Sequence, residues 1–549
     1  MRDDCRMDAP RTDRLALLRW LWEPRPDTGI RFAGDEQEWS RWDYPRLAAG
    51  AHARAAELLE RGAARGDVVL VVEPTGPGFL TGYFGAMLAG AVPAPASPPL
   101  FGQDLAQWRT LLASLTGTAR PRFVCTAPGF AETVRQAVGP EPVLLEEAPG
   151  GGPVPPVPAA DLAMLQFTSG SSGSPRGVRV PFPALTANVR AIREWLAMGP
   201  DDPTASWLPM HHDMGLIGCL LTPVTHQTDL WLCSPQQFLR RPSRYLRCFG
   251  ESGARLTAMP TFGLEHILRR VRPAELSGCD FSEWRAVIVG AERVAEPTLR
   301  AFADLLAPYG FAPESLLPAY GLAEATLAVT GSRLDERWTT RSIAPAGPGQ
   351  AAGGEAATLV GCGRPLAGVS VTVLDSGGDP LPEDRVGEIA VAGPSVADGY
   401  HAGAVAQTTR FARGAVRTGD AGFLSGGQLY VLGRMGDSMK VRGKPVFAED
   451  LEAALEAHGL PRRQQAVLLG VVDGAQVAVV VAEHADPALL DLARTDLARL
   501  AEGAELIMLS AATGTIPRTT SGKPRRRELW RRFADGNLPR EGAGRLQGG

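Results

Sequence analysis

"LAMLQFTSGSSGSPRG", residues 162–177, runs from an apolar stretch straight into a loop built mostly of Gly and Ser. The apolar stretch predicts a buried strand. The loop behind it lets backbone close around an anion, because Gly and Ser carry little bulk and their N–H and O–H groups donate to oxygen. It ends on a cation, Arg176. The G-x-x-x-x-G-K-[ST] spacing of a Walker loop is absent. Composition alone fits a flexible Ser/Gly linker equally well. A loop seated behind an apolar strand and closed by Pro175–Arg176 favours phosphate over a tether.

Outward from this loop, short apolar runs alternate with helical segments. "LAAGAHARAAELLERGA" (47–63) predicts an amphipathic helix and "DVVLVVE" (67–73) a buried strand between Gly66 and Pro74. "FLTGYFGAMLAGAVPAPA" (79–96) predicts a second helix that breaks at Pro93. "RFVCTA", "PVLLEE", "TDLWLCS", "RLTAMP" and "WRAVIVG" repeat the strand signal. The alternation predicts α/β architecture with largely parallel sheets. Pro/Gly-rich stretches at 148–161 and 341–358 read as connectors. Beyond the second, "VSVTVLD", "VGEIAVAG" and "GQLYVLG" are β-like, and 434–535 carries helices and strands of its own. The expected division is a large unit, 14–433, and a small one, 434–535, after a loose tail over 1–13.

At 549 residues the chain exceeds one ordinary domain. Hydrophobic residues at 44% and charged residues at 21% fit a folded globular protein. A formal net charge of −4 leaves no polycation, so neither nucleic acid nor an anionic membrane is the expected partner. There is no apolar run of about 18 residues, and "MRDDCRMDAPRTDR" leads into no signal-peptide pattern. The expectation is a cytoplasmic protein without a membrane span. Cys5, Cys125, Cys219, Cys233, Cys248, Cys279 and Cys362 form no C-x-x-C pair and lack zinc-ligand spacing, which fits reduced thiols. The 56 Lys and Arg positions include only three lysines, Lys440, Lys444 and Lys523. A lysine kept in "PRTTSGK" (517–523) suggests a site that needs a compact, rotatable ammonium rather than a planar guanidinium fork.

The loop at 168–177 resembles the phosphate-binding loop of the adenylate-forming superfamily of acyl- and aryl-CoA ligases, amino-acid-adenylating domains and luciferases. Other motifs follow in that family's order. "WLPMHHDMGLIG" (207–218) resembles the carboxylate-site segment and "VIVGAE" (287–292) the strand flanking adenine. "AYGLAEAT" (319–326), "RTGD" (417–420), "GRMGDSMKVRGKPV" (433–446) and "PRTTSGK" complete the series. The resemblance implies a large N-terminal domain of two α/β subdomains and a β-rich subdomain, with a small mobile C-terminal α/β domain. It also implies a two-step reaction: a carboxylate attacks the α-phosphate of ATP with Mg²⁺ present, pyrophosphate leaves, and a nucleophile takes the acyl group.

Carried over by position, the resemblance gives Thr168, Ser169, Gly170, Ser171 and Arg176 to the β- and γ-phosphates. Glu324 would help hold Mg²⁺, a hard cation suited to carboxylate oxygen. Gly290, Ala291 and Glu292, with Ala319, Tyr320 and Gly321, would bracket adenine. Asp420 would accept from the ribose hydroxyls, with Arg434 assisting. Lys523 would bridge the substrate carboxylate and the α-phosphate, with His212 near that carboxylate. Met210, Met214, Gly215, Gly218, Thr261 and Phe262 would line the acyl pocket, and Gly436 would be the hinge. Bland readings stand beside these: a surface Glu at 324, a turn Asp at 420, a merely hydrogen-bonded pair at His211–His212. Adjacent histidines cannot readily chelate one ion, so metal binding there is not expected. Arg176 replaces the commoner Lys, Gly436 the commoner Asp or Lys, and Thr261–Leu264 the commoner Asn-Phe-Ala-Tyr.

Within the superfamily, "HHDMGLIG", "AYGLAEATLAVTG" and "VGCGRP" look most like the fatty acyl-AMP ligases, which load the phosphopantetheine thiol of an acyl carrier protein for polyketide or mixed peptide assembly. An extra segment restrains domain movement in that branch. Its counterpart here, about 330–360, is short and rich in Ala, Gly and Pro. An acyl-CoA ligase is the runner-up reading. Amino-acid adenylation is a third, kept open by Asp213, and an inactive adenylate-binding scaffold is a fourth.

Overall fold

The computed structural model describes residues 17–34, 38–99, 104–146, 152–168, 175–343, 357–404, 408–442, 444–472, 474–519 and 522–538. Short β-branched and aliphatic runs build two parallel sheets. The smaller has the order Val92–Pro95, Val68–Val72, Phe123–Thr126, Val143–Leu145, all parallel. Here one expectation is corrected. The helix that begins at Pro77 ends at Leu88, and Pro93 sits inside the strand Val92–Pro95 instead of breaking a helix. That strand is an edge strand, where a proline without an N–H costs the sheet least.

The larger sheet has nine strands among the described residues. Its parallel centre runs Leu316–Gly321, Ala286–Val289, Leu256–Met259, Thr204–Ser206, Leu230–Leu232 and Gly29–Ala33. Antiparallel strands flank it: Ala328–Gly331 and Arg364–Pro365 on one side, Trp39–Asp43 on the other. In a sheet of this kind the ligand crevice lies outside the carboxyl ends of the strands. Those ends deliver Trp207, Pro260, Gly290 and Leu322 to one place. The strand Leu162–Thr168 pairs antiparallel with Arg176–Pro181, and Thr168 stands opposite Arg176. The two arms of the Gly/Ser loop are therefore pinned together, while Ser169, Gly170 and Ser171 lie outside the described residues.

The β-rich part pairs Ser370–Leu374, Gly387–Ala392, Ala415–Ser425, Arg410–Ala412 and Gln428–Arg434 in one antiparallel sheet. The 341–358 connector is not featureless at its ends, for Thr340–Ile343 pairs with Ala357–Val360; 344–356 lies outside the described residues. Past Arg434, a three-stranded sheet (Gln465–Val472, Ala475–Glu483, Glu505–Ala511) carries the helices Ala448–Ala457, Pro487–Leu500 and Arg526–Ala534. Two apolar clusters there draw their buried members only from residues 441–501 and 466–538. A third cluster crosses the joint, placing Leu359 and Leu432 with Phe447. The six cysteines among the described residues are buried free thiols, and no described helix is long and apolar enough to cross a membrane.

Candidate active site

A cavity of about 1110 Å³ opens at the carboxyl ends of the parallel strands and is closed over by residues beyond Arg434. One end is organised by Asp420, a nearly buried carboxylate on the long strand Ala415–Ser425. Arg434 pairs with one oxygen at 2.8 Å, and the Tyr320 hydroxyl donates to the other at 2.6 Å. Asp420 stands opposite Arg434 in the sheet register, so backbone pairing itself presents the ion pair. Burial and the neighbouring Asp420 push the Tyr320 phenol well up, so it stays a donor. Each carboxylate oxygen keeps a further lone pair for an incoming hydroxyl.

Thr168 and Arg176 line another part of the cavity from facing strand positions. Thr168 Oγ1 and Arg176 Nε are buried and have no hydrogen-bond partner among the described residues. Buried donors without partners are costly in a finished core and expected in a site awaiting an anion. Arg176 also lies 5.1 Å over the ring of Tyr400, whose hydroxyl donates to Glu324 at 2.6 Å. Phosphate cation and candidate metal carboxylate are thereby joined through one aromatic. Glu324 belongs to no cluster of three or more acidic, His or Cys side chains among the described residues. One carboxylate, with phosphate and water completing the shell, is how Mg²⁺ is commonly held beside a nucleotide. The donor set therefore fits ATP with its magnesium.

Lys523 enters the same cavity from the C-terminal unit, on a turn where its N–H donates to Thr519 Oγ1 at 3.1 Å. Its side chain is reached by cleft solvent although protein surrounds it. Burial and the Arg434 charge lower the ammonium's pKa, against the pull of Glu292, Asp213 and Asp420. Asp213 caps the turn at Met214, and burial raises its carboxyl. Beside it, His211 is pushed well down by burial and by His212, whose ring lies 4.6 Å away. The His211 ring is thus better suited to hydrogen bonding than to carrying charge. His212 lines the cavity, and Gln166 donates to the His211 carbonyl at 2.8 Å, tying this segment to the phosphate strand.

The profile of the AMP-binding enzyme family matches residues 22–401. This chain belongs to that family. A medium-chain-fatty-acid–[acyl-carrier-protein] ligase, JamA, of Moorena producens (strain JHB) is 29% identical over 553 residues, covering 92% of this chain and 91% of that one. A Caulobacter vibrioides (strain NA1000 / CB15N) protein that carries an acyl-CoA synthetase name is 32% identical over 511 residues, covering 87% of this chain and 88% of its own. Among solved structures, one from studies of fatty acyl-adenylate ligases of E. coli and L. pneumophila superposes with a TM-score of 0.86 at 29% identity, covering 95% of this chain and 98% of that one. The architecture is the adenylate-forming fold.

Family membership leaves the acid side of the cavity to be read from this chain. Met214–Leu221 forms a π-helical segment, a wide turn often found at functional sites. It carries Met214, Gly215 and Gly218 to the cavity wall beside Met210. Gly215 has no room for a side chain, since a Cβ would sit 2.4 Å from the Pro209 carbonyl oxygen. Phe262 also faces the cavity, but Thr261 does not line it. The Thr261 hydroxyl is fully buried and donates to the Arg293 carbonyl at 3.3 Å. The next position is glycine for a local reason: a Cβ on Gly263 would lie 2.9 Å from the Trp207 indole. Gly290, Ala291, Glu292, Ala319, Tyr320 and Gly321, expected to bracket adenine, all line the cavity. Gly436 lies in the turn Met435–Asp437 just outside the cavity and is not among the glycines with positive φ.

Sequence reasoning missed Tyr400, which donates to Glu324, and the cavity-lining Gln166, Trp195, Met198, Ile288 and Leu327. Gln166 carried a signal, a polar amide in the otherwise apolar run 162–167. Tyr400 carried none.

Proposed function

We propose that this protein activates a fatty or related carboxylic acid as acyl-AMP, releasing pyrophosphate, and then passes the acyl group to the phosphopantetheine thiol of an acyl carrier protein. The observation that carries the first step is the convergence in one cavity of Lys523, Asp420, Glu324 and Arg176 with an apolar wall. Joining two anions is chiefly a matter of positioning and charge neutralisation. The acid lies against the π-helical wall with its carboxylate beside His212 and Lys523, and a carboxylate oxygen attacks the α-phosphorus. Lys523 donates to the oxygens of both partners. Thr168, Arg176 and the Gly/Ser loop take the charge of the departing pyrophosphate. Mg²⁺ held at Glu324 supplies further neutralisation there.

The second step rests on other grounds. In this reading residues 434–535 form a small mobile domain against the large domain, 14–433, and turn about Gly436 between the half-reactions. The strands at 340–343 and 357–360 support a restrained version of that motion, because Leu359 shares an apolar cluster with Phe447 of the small domain. The carrier-protein ligase name of JamA supports the acceptor. A second reading, transfer to free coenzyme A, is favoured by the acyl-CoA synthetase name of the Caulobacter relative. The deciding experiment follows acyl-AMP by mass spectrometry with ATP, Mg²⁺ and a panel of acids, with and without coenzyme A. Acyl-AMP that persists beside coenzyme A upholds the carrier-protein reading; its conversion to acyl-CoA replaces it with the second. Absence of any acyl-AMP would overturn both.

A further inference from the structure

The acid side of the cavity has a wall contributed from across the joint. The short turn Arg462–Gln464 of the C-terminal unit reaches the large unit at two adjacent side chains. Arg462 pairs with Glu456 at 2.8 Å, lies 3.7 Å from Glu292, and donates to the Arg293 carbonyl at 3.2 Å. Arg463 lays its guanidinium on the ring of Phe262, with Cζ 3.3 Å from the ring centroid. Arg463 joins no ion pair among the described residues, so the stack is the contact that fixes its side chain. Its backbone is held separately, by Arg518 donating to its carbonyl at 2.6 Å.

Phe262 is itself closely placed. Its N–H donates to Glu292 at 2.7 Å, and its ring stands edge-on to Trp207 with centroids 6.4 Å apart. Trp207 is stacked on Phe238 at 4.1 Å. The inner layers are therefore set by the large unit, while the outermost layer over Phe262 belongs to the small one. We propose that Arg463 is a specificity-determining residue: by stacking on Phe262 it closes the acyl side of the cavity during adenylation and makes the choice of acid depend on the closed arrangement of the two units. The inference rests on the reading of Phe262 as part of the acyl wall. Its consequence is that acids are selected when the small unit is docked, and the wall opens when that unit leaves.

The test is ATP–pyrophosphate exchange with short, medium and long straight-chain acids. Arg463→Ala removes the guanidinium–aromatic stack and is expected to raise KM for the preferred acid about 10-fold and flatten the chain-length preference. KM for ATP and kcat should stay within about twofold, a split that general damage to the fold would not give. Arg463→Lys, which keeps a cation over the ring, should recover part of the preference. In a double-mutant cycle with Phe262→Leu the effects should be non-additive. An unchanged chain-length profile in Arg463→Ala, or equal losses for acid and ATP, would overturn the proposal. If the wild type exchanges pyrophosphate only with non-fatty carboxylates, the fatty-acid reading fails, and the same KM split measured with those acids still decides the role of Arg463.

Discussion

At the scale of single residues the site depends on cations that differ in kind. Arg434 and Arg176 are held by neighbours, Asp420 for the first and the Tyr400 ring for the second, and act as fixed walls. Among the described residues Lys523 has no such clamp, which suits its proposed role of following oxygens during bond formation. Lys523→Ala is expected to cut acyl-adenylate formation about 100- to 1000-fold with the thermal midpoint unchanged, measured by pyrophosphate exchange and calorimetry. Lys523→Arg should rescue little, because the fork cannot adapt as the ammonium does. A variant at full rate would remove Lys523 from the chemistry. Tyr400→Phe deletes a hydrogen bond to a charged carboxylate, worth about 1.5–3 kcal/mol. Its expected signature is a weakened magnesium dependence of the same exchange, and an unaltered magnesium titration would count against the link between Tyr400 and Glu324.

At the scale of elements, legibility divides by whether chemistry is local in the chain. The hairpin of Leu162–Thr168 and Arg176–Pro181, the strand before "GAE" and the Asp420 strand could be read because each is a contiguous motif whose residue types follow from the chemistry proposed for it. Val92–Pro95 was misread because two prolines suggest a break, whereas an edge strand tolerates them. Tyr400 could not be foreseen, since its partner Glu324 lies 76 residues away and only the folded sheets bring them together. Thr261 was misassigned to the cavity for the same kind of reason: its hydroxyl was already committed to the distant Arg293 carbonyl. The strands at 340–343 and 357–360 carry a prediction of their own. Leu359→Ala should loosen the apolar cluster with Phe447 and raise consumption of acyl-AMP by coenzyme A several-fold while adenylation continues. Equal acyl-CoA yields from variant and wild type would show that this hairpin does not restrain the acceptor step.

At the scale of the whole molecule, buried charge gathers in the small unit on the side that lines the cavity. Arg526 pairs with Glu452 at 2.8 Å and Asp437 at 2.9 Å, and Glu449 lies beside it at 3.9 Å. Burial pushes the Glu449 carboxyl up to about 7, against the pull of Arg526. A carboxyl raised on folding binds its proton more tightly in the folded state than in the unfolded one. Between the ordinary carboxylate range and about pH 7 the folded chain therefore holds the extra proton, and stability falls as pH rises through that window, by at most about 1.4 kcal/mol per pH unit for this one group. Glu449→Gln should flatten the pH dependence of the denaturation midpoint over that interval; an unchanged slope would assign it to other groups. The scarcity of lysine has a practical side as well. An amine-directed acylating reagent meets at most three side-chain targets in this chain, and among the described side chains Lys523 is the lysine that lines the cavity. Its lowered pKa leaves more of it as the free, nucleophilic amine at a given pH. Labelling followed by peptide mapping thus becomes a footprint of the catalytic centre, in which any molecule that fills the cavity announces itself by sparing one amine.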